Sequence, residues 1–367
     1  EIFIGSFINN MKLEDLLIKT VEHEASDLHI TVGTPPRIRK SGSLLELGDE
    51  KLAADKVKEL IESKMSKAQI DNFNNGHEID YSIGVPGLSR FRVNVYSQRG
   101  NICAAYRRLP LEPPAIDSLG LPNSVVSLLE NKKGLILITG ATGSGKSTTM
   151  AALVNKLTKE LPGHILTIED PIEYLYPHSK AQVNQREVGV DTKSFASGLK
   201  SALRQDPDVV VVGELRDPES MAAAMSVAET GHLVFGTMHT NTASGAITRL
   251  VDAFPPDKQD VIRMNLSMSL LAVVAQQLIP TNDGKRALAC EILIANSAIK
   301  ALIRENNVHQ INSYIKSGSN EGMILMDDSL KKLFNDGIIS QDNMIEYAID
   351  AKSMTQSSGS VPKQPNI

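Results

Sequence analysis

One stretch constrains this chain more than any other: Gly140-Ala141-Thr142-Gly143-Ser144-Gly145-Lys146-Ser147-Thr148. It matches the pattern G-x-x-x-x-G-K-S/T in full. An apolar run at 135–139 precedes it, and a helical pattern beginning near Lys146 follows, which is the context a phosphate-binding loop requires. The residue types have a physical reason. Glycines let the backbone curl until successive N–H groups point at one anion. The following helix adds the partial positive charge of its first turn. Lys146 is placed to reach the β- and γ-phosphates of a nucleotide, and the Ser147 hydroxyl suits Mg²⁺. A glycine-rich turn that matches by chance is the bland alternative, and the flanking strand and helix argue against it.

The rest of the chain supports an α/β reading. Buried-type strands are expected at 135–139, 164–168, 209–213 and 233–237, with helices at 146–160, 195–204, 218–229 and 243–252. That alternation implies a parallel sheet covered on both faces by helices, in a core spanning 115–295. From 296 to 352 the pattern is mostly helical. Serines and prolines in 353–367 predict a disordered tail. Ahead of the core, residues 11–108 read as a small α+β domain. It has an amphipathic helix at 12–22, strands at 27–30 and 37–39, a helical stretch at 52–75 and antiparallel strands over 79–109. Pro110, Pro113 and Pro114 mark 109–114 as a linker. Residues 1–10 lack the features of a signal peptide and are read as an upstream extension or an expression scar ahead of Met11.

Phosphoryl transfer needs acids as well as a cradle. Val209, Val210, Val211 and Val212 lead into Gly213-Glu214, which places Glu214 at a strand tip. His164-Ile165-Leu166-Thr167-Ile168 leads into Glu169-Asp170-Pro171-Ile172-Glu173. In a doubly wound sheet both tips lie at the carboxyl ends of the strands, where ligands bind. Each acid taken singly is more readily a solvated turn residue. Two acidic tips behind a complete phosphate loop reverse that reading. His232 and His239 bracket the strand at 233–237, one in each flanking loop. His239 falls at the carboxyl end, suited to a phosphate; a structural histidine bonded to backbone is the alternative.

Composition removes other classes. Net charge is −5, aromatic residues make up 4 % and tryptophan is absent. That combination argues against a nucleic-acid-coating surface and a base-stacking platform. No segment approaches the roughly 18 apolar residues of a membrane helix. Cys103 and Cys290 are too few for a disulfide framework or a four-cysteine zinc site, which suits a reducing cytosol.

Together these residues resemble the secretion ATPase superfamily, the hexameric motors of type IV pili and type II secretion, over about 12–350. Residues 140–148 are similar to its Walker A loop, 167–174 to its Asp box, 210–217 to a Walker B segment that carries glutamate, and 230–240 to its His box. Ala25-Ser26-Asp27-Leu28-His29, residues 183–188 and residues 298–305 resemble elements of its pilus-retraction branch. In 298–305, Lys300 and Ala301 replace an arginine and an asparagine.

The resemblance implies a RecA-like ATPase core, a PAS-like first domain and Mg-dependent ATP hydrolysis. It also implies a hexamer at the inner face of the cytoplasmic membrane that works on a pilus platform protein. Residues 140–148 and His232 would bind nucleotide, while Ser147 and Glu214 would hold the metal. Glu169 or Glu173 would orient water, and His239 would sense the γ-phosphate. Arg92 and Arg107 would act on the nucleotide of a neighbouring subunit. An assembly or secretion motor of the same superfamily is the nearest alternative. A non-hydrolysing nucleotide switch and a DNA-directed ATPase are more distant ones.

Overall fold

A computed structural model describes residues 11–110 and 112–357. Expectations for 1–10, for Leu111 and for the tail beyond Ser357 lie outside the described residues. The chain divides into two compact units. One is Glu1–Glu112 with Pro171–Leu175, and the other is Pro113–Asp170 with Tyr176–Ile367.

The first unit contains α1 (Leu13–Glu22), β1 (Asp27–Ile30), β2 (Arg37–Lys40), β3 (Ser43–Glu46), α2 (Ala54–Glu62), α3 (Lys67–Asn74), β4 (Ile79–Val85), β5 (Ser89–Gln98) and β6 (Asn101–Leu109). The strands form one antiparallel sheet in the order β3-β2-β1-β6-β5-β4. Period-two alternation explains it. Phe91, Val93 and Val95 of β5 are buried in a core with Leu13, Leu16 and Leu17 of α1 and Val57, Leu60 and Ile61 of α2. Arg90, Arg92 and Asn94 take the other face. The single helical stretch expected over 52–75 is two helices. Ser66 starts the second with a capping box, its hydroxyl accepting from Gln69 N at 3.3 Å. Leu109, expected in the linker, closes β6 and is buried.

The second unit contains α4 (Asn123–Val126), β7 (Gly134–Thr139), α5 (Lys146–Glu160), β8 (His164–Glu169), β9 (Gln182–Glu187), α6 (Phe195–Ala202), β10 (Val209–Val212), α7 (Pro218–Glu229), β11 (Leu233–Met238), α8 (Ala243–Asp252), α9 (Gln259–Ser269), β12 (Leu270–Pro280) and β13 (Arg286–Ile294). It closes with α10 (Ser297–Arg304), α11 (Ile311–Ser317), α12 (Met326–Asn335), α13 (Gln341–Glu346) and α14 (Ala351–Ser357). Its sheet runs β13-β12-β7-β11-β10-β8-β9, parallel throughout except for the antiparallel β12–β13 pair. The α/β class expected from the sequence is the class observed.

Every residue of β7, β10 and β11 is buried, as strands covered on both faces must be. Ile136 and Ile138 of β7 pack with Met150, Leu153 and Val154 of α5. Leu135 and Leu137 pack on the opposite face with residues of α7, α8 and α9. The strand β9, the helix α9 and the β12–β13 hairpin were not expected. Residues 353–357, expected in the tail, instead continue α14, and Met354 is buried against Met326, Leu330 and Met344. Among the described residues no helix is long and apolar enough to cross a membrane.

Candidate active site

The strand β7 delivers the chain into the glycine loop, and α5 begins at Lys146 immediately after it. Gly140, Gly143 and Gly145 have φ of 147°, 81° and 90°, a region that other residues enter only under strain. At Gly140 space forbids a side chain as well. A Cβ there would lie 2.4 Å from Ser144 Oγ and 2.5 Å from the Gln276 carbonyl oxygen. The loop is braced from β12, where Gln276 Nε2 donates to the Ser144 carbonyl at 2.8 Å.

Lys146 is buried, and its ammonium donates to the carbonyls of Gly140 at 2.8 Å and Ala141 at 2.9 Å. The cation is therefore held at the mouth of the loop. Thr139 Oγ1, Ser144 Oγ and Gln276 Oε1 are buried without a hydrogen-bond partner among the described residues. Native interiors rarely leave such atoms unmatched. A loop closed to a Cβ at Gly140, a cation at its mouth and a helix N-terminus behind it make a donor set suited to a polyphosphate.

Two strands away, backbone bonds fix the tip of β10. Gly213 N donates to Ile168 O at 2.8 Å and Leu215 N to Thr237 O at 2.9 Å. Glu214 is thereby held between the ends of β8 and β11. Arg216 Nη2 meets Glu214 Oε2 at 2.7 Å, and His239 Nε2 donates to Glu214 Oε1 at 3.2 Å. Burial pushes the Glu214 carboxyl up. The hydrogen bond and charge of Arg216, helped by His239, outweigh burial and hold it below its ordinary range. The Glu214 bond raises Arg216 above its own ordinary value, with a further contribution from the Asp170 charge. Glu214 is thus an anion at neutral pH, braced on both oxygens.

Glu169 ends β8 and accepts from Thr167 Oγ1 at 2.6 Å and Gln185 Nε2 at 3.1 Å. Glu173 lies in Pro171–Leu175, the stretch that groups with the first unit.

Residues 140–148, Glu169, Glu214 and His239 therefore all lie at the carboxyl ends of parallel strands. His232 does not. It precedes β11 at its amino end, where its Nδ1 is 3.0 Å from Val227 O and its carbonyl accepts from Gly134 N at 3.0 Å. At about 3.3 Å per residue, β11 separates it from the phosphate loop of its own chain by roughly 20 Å. The expectation that His232 contacts nucleotide is corrected accordingly for this chain's own loop.

Arg92 and Arg107 are directly opposed across β5 and β6, a placement that like charges disfavour. Each leans on an acid: Arg92 Nε on Asp80 at 3.4 Å, and Arg107 Nε on Asp27 at 2.9 Å. Burial raises the Asp27 carboxyl, but bonds from Ser26 and Arg107 bring it below its usual value. The Arg107 side chain remains 72 % exposed, so its guanidinium is accessible from solvent.

The sequence reading missed Arg216 and Gln276. Arg216 had a signal in its position two residues past the acidic tip. Gln276 had one too: it interrupts the apolar run of β12 and is buried, and a buried amide in an apolar strand needs a reason. Glu214 and Ser147 fit Mg²⁺ on a nucleotide, which keeps waters and phosphate oxygens and needs only one or two protein groups. Among the described residues no cluster of three or more His, Cys, Asp or Glu is gathered for a metal.

The family model described as "Type II/IV secretion system protein" matches residues 115–321. The chain is 43 % identical to "Type IV pilus retractation ATPase PilT" of Pseudomonas aeruginosa, over 92 % of this chain and 98 % of the relative. It is 42 % identical to "Twitching motility protein" of Neisseria gonorrhoeae, over 87 % and 86 %. The crystal structure of the pilus retraction motor PilT with bound ADP superposes with a TM-score of 0.88 at 45 % identity, covering 95 % of this chain and 100 % of that one. On this evidence the chain belongs to the type II/IV secretion system protein family.

Proposed function

We propose that the chain is an ATPase that powers type IV pilus retraction, working as a hexameric ring on a platform protein at the inner face of the cytoplasmic membrane. The observation that carries the ATPase reading is the alignment of strand ends. A complete phosphate loop closes β7, while Glu214, braced by Arg216 and His239, stands at the end of β10 in the same sheet. The direction of work rests on the relatives, which are named for pilus retraction and twitching motility.

In this mechanism the loop N–H groups and the α5 dipole receive the phosphates. Lys146 transfers its bonds from the Gly140 and Ala141 carbonyls to phosphate oxygens. Ser147, with Glu214 acting through water, would hold Mg²⁺, which when bound would offset charge on the β- and γ-phosphates. Glu169 or Glu173 orients the attacking water. His239, already bonded to Glu214, turns toward the γ-phosphate. Arg92 and Arg107 of a neighbouring subunit offset the charge that develops in transfer, a contribution worth about 10³–10⁵ in rate where an arginine is supplied in this way.

A strain lacking the gene tests the direction of work. Retraction predicts excess surface pili that are not withdrawn. Bald cells would overturn retraction in favour of assembly.

A further inference from the structure

Glu291 is a buried carboxylate with no part in the mechanism above. It lies in the middle of β13 and is 2 % exposed. Across the sheet it pairs with Ala275 of β12, and Ala275 pairs with Thr139, the last residue of β7. Glu291 therefore stands level with the start of the phosphate loop, two strands out.

Its two oxygens serve two different helices. Oε1 accepts from Ala243 N at 2.7 Å and Oε2 from Met326 N at 3.4 Å. These are the first residues of α8 and α12. Such N–H groups have no partner inside their own helices, and both helix dipoles favour an anion there. Burial pushes the carboxyl up and the two N–H bonds pull against it, leaving it raised.

One carboxylate thus serves two helix ends, at N–H groups that neither helix's own N-cap residue reaches. The helix α8 already has its own cap, Thr242, which accepts from Gly245 N at 3.1 Å. The α12 end has no side-chain cap from its own N-cap residue, Leu325. The connection also continues beyond α12. Asp327, next to Met326, accepts from Ile349 N at 2.7 Å and Asp350 N at 3.0 Å, ahead of α14. On the other side, Ala243 directly follows the four-residue loop 239–242, which begins at His239.

We propose that Glu291 is a positioning residue that ties the His239 loop to the amino end of α12, so that nucleotide-driven movement of the loop is passed to the C-terminal helices. This rests on the reading that the His239 loop faces nucleotide. An apolar side chain would fill the same space without the cost of burying a charge, but it would leave the two N–H groups unjoined.

The test is amide hydrogen exchange on the full chain, with and without Mg·ATPγS, read in peptides covering 239–246 and 324–330. Nucleotide affinity, kcat and KM are measured on the same samples. In the wild type, nucleotide is expected to slow exchange in both peptides. Glu291→Gln keeps the shape but turns an amide N–H toward one of the two donors. In that variant affinity stays within about twofold, the 239–246 response persists, and the 324–330 response is lost. Loss of a charged hydrogen bond lowers kcat about tenfold with KM little changed.

The proposal is overturned if nucleotide leaves 324–330 unaltered in the wild type, or if Glu291→Gln retains both that response and kcat. Should the variant not fold, the two wild-type peptides decide. Absence of nucleotide binding by the wild type would overturn the site reading and this proposal with it, and the affinity measurement separates that outcome from the others.

Discussion

The two edges of the seven-stranded sheet are built from the same strands and behave differently. At the amino edge, polar groups are largely taken up by nearby backbone. Asp208 Oδ2 accepts from His164 N at 2.8 Å, His164 Nδ1 lies 3.2 Å from Asp206 O, and His232 Nδ1 lies 3.0 Å from Val227 O. His164 Nε2 is the buried atom left over among these groups. At the carboxyl edge, Thr139 Oγ1, Ser144 Oγ, Thr240 Oγ1 and Gln276 Oε1 are buried without partners among the described residues. There Lys146 leans on carbonyls and Glu214 is pulled between a guanidinium and an imidazole. The amino edge is arranged for stability. The carboxyl edge keeps bonding capacity in reserve, and for parallel strands that is the edge at which ligands enter.

Substitutions at the two edges should therefore separate activity from stability. The largest effect is expected for Lys146→Ala, which removes the cation at the loop mouth. Phosphate release should fall about 10³-fold or more, and near-normal turnover would break the comparison. Glu214→Gln comes next. Removing the anion while keeping its size should lower kcat about 10²-fold and leave nucleotide affinity within a few-fold.

Arg216→Ala sharpens the comparison through pH. In the fold, Glu214 is held below its ordinary value of 4.5. It thus contributes stability that is present above that value and lost as pH falls through the depressed folded pKa. Without Arg216 the burial effect gains weight and the pKa rises. The acidic limb of kcat/KM should then move to higher pH, and part of the stability contribution should vanish. An unmoved limb would remove Glu214 from the titrating machinery.

His232→Asn, at the amino edge, should have the smallest effect on activity. Losing one ordinary hydrogen bond costs about 1 kcal/mol in thermal unfolding, with KM for ATP within about twofold. A large rise in KM would return His232 to the nucleotide.

Much of this arrangement was legible because buried parallel strands read as unbroken apolar runs. Leu135, Ile136, Leu137 and Ile138, and likewise Val209, Val210, Val211 and Val212, admit no half-exposed strand. The first unit was legible for the opposite reason, since β5 alternates inward Phe91, Val93 and Val95 with outward polar residues.

The rest was hidden by physics that a linear pattern does not carry. The edge strand β9, reading QVNQRE, is polar enough to pass for a loop. The helix α9 runs directly into β12 without glycine or proline between them, so the change from one period to the other has no punctuation. Met354 anchors α14 through burial that composition cannot reveal. Spacing placed the two histidines at opposite ends of β11, but contact with a ligand depends on which end faces the loop. Gln276 and Glu291 act from strands recognised only in the fold.

The account's central claim is that residues 140–148 grip the polyphosphate of a nucleotide. Titration calorimetry with ATP and with adenosine, both in magnesium, tests it most directly. The account predicts that ATP binds and that adenosine, lacking every group the loop holds, binds at least about 100-fold more weakly. Equal affinity for the two would contradict it.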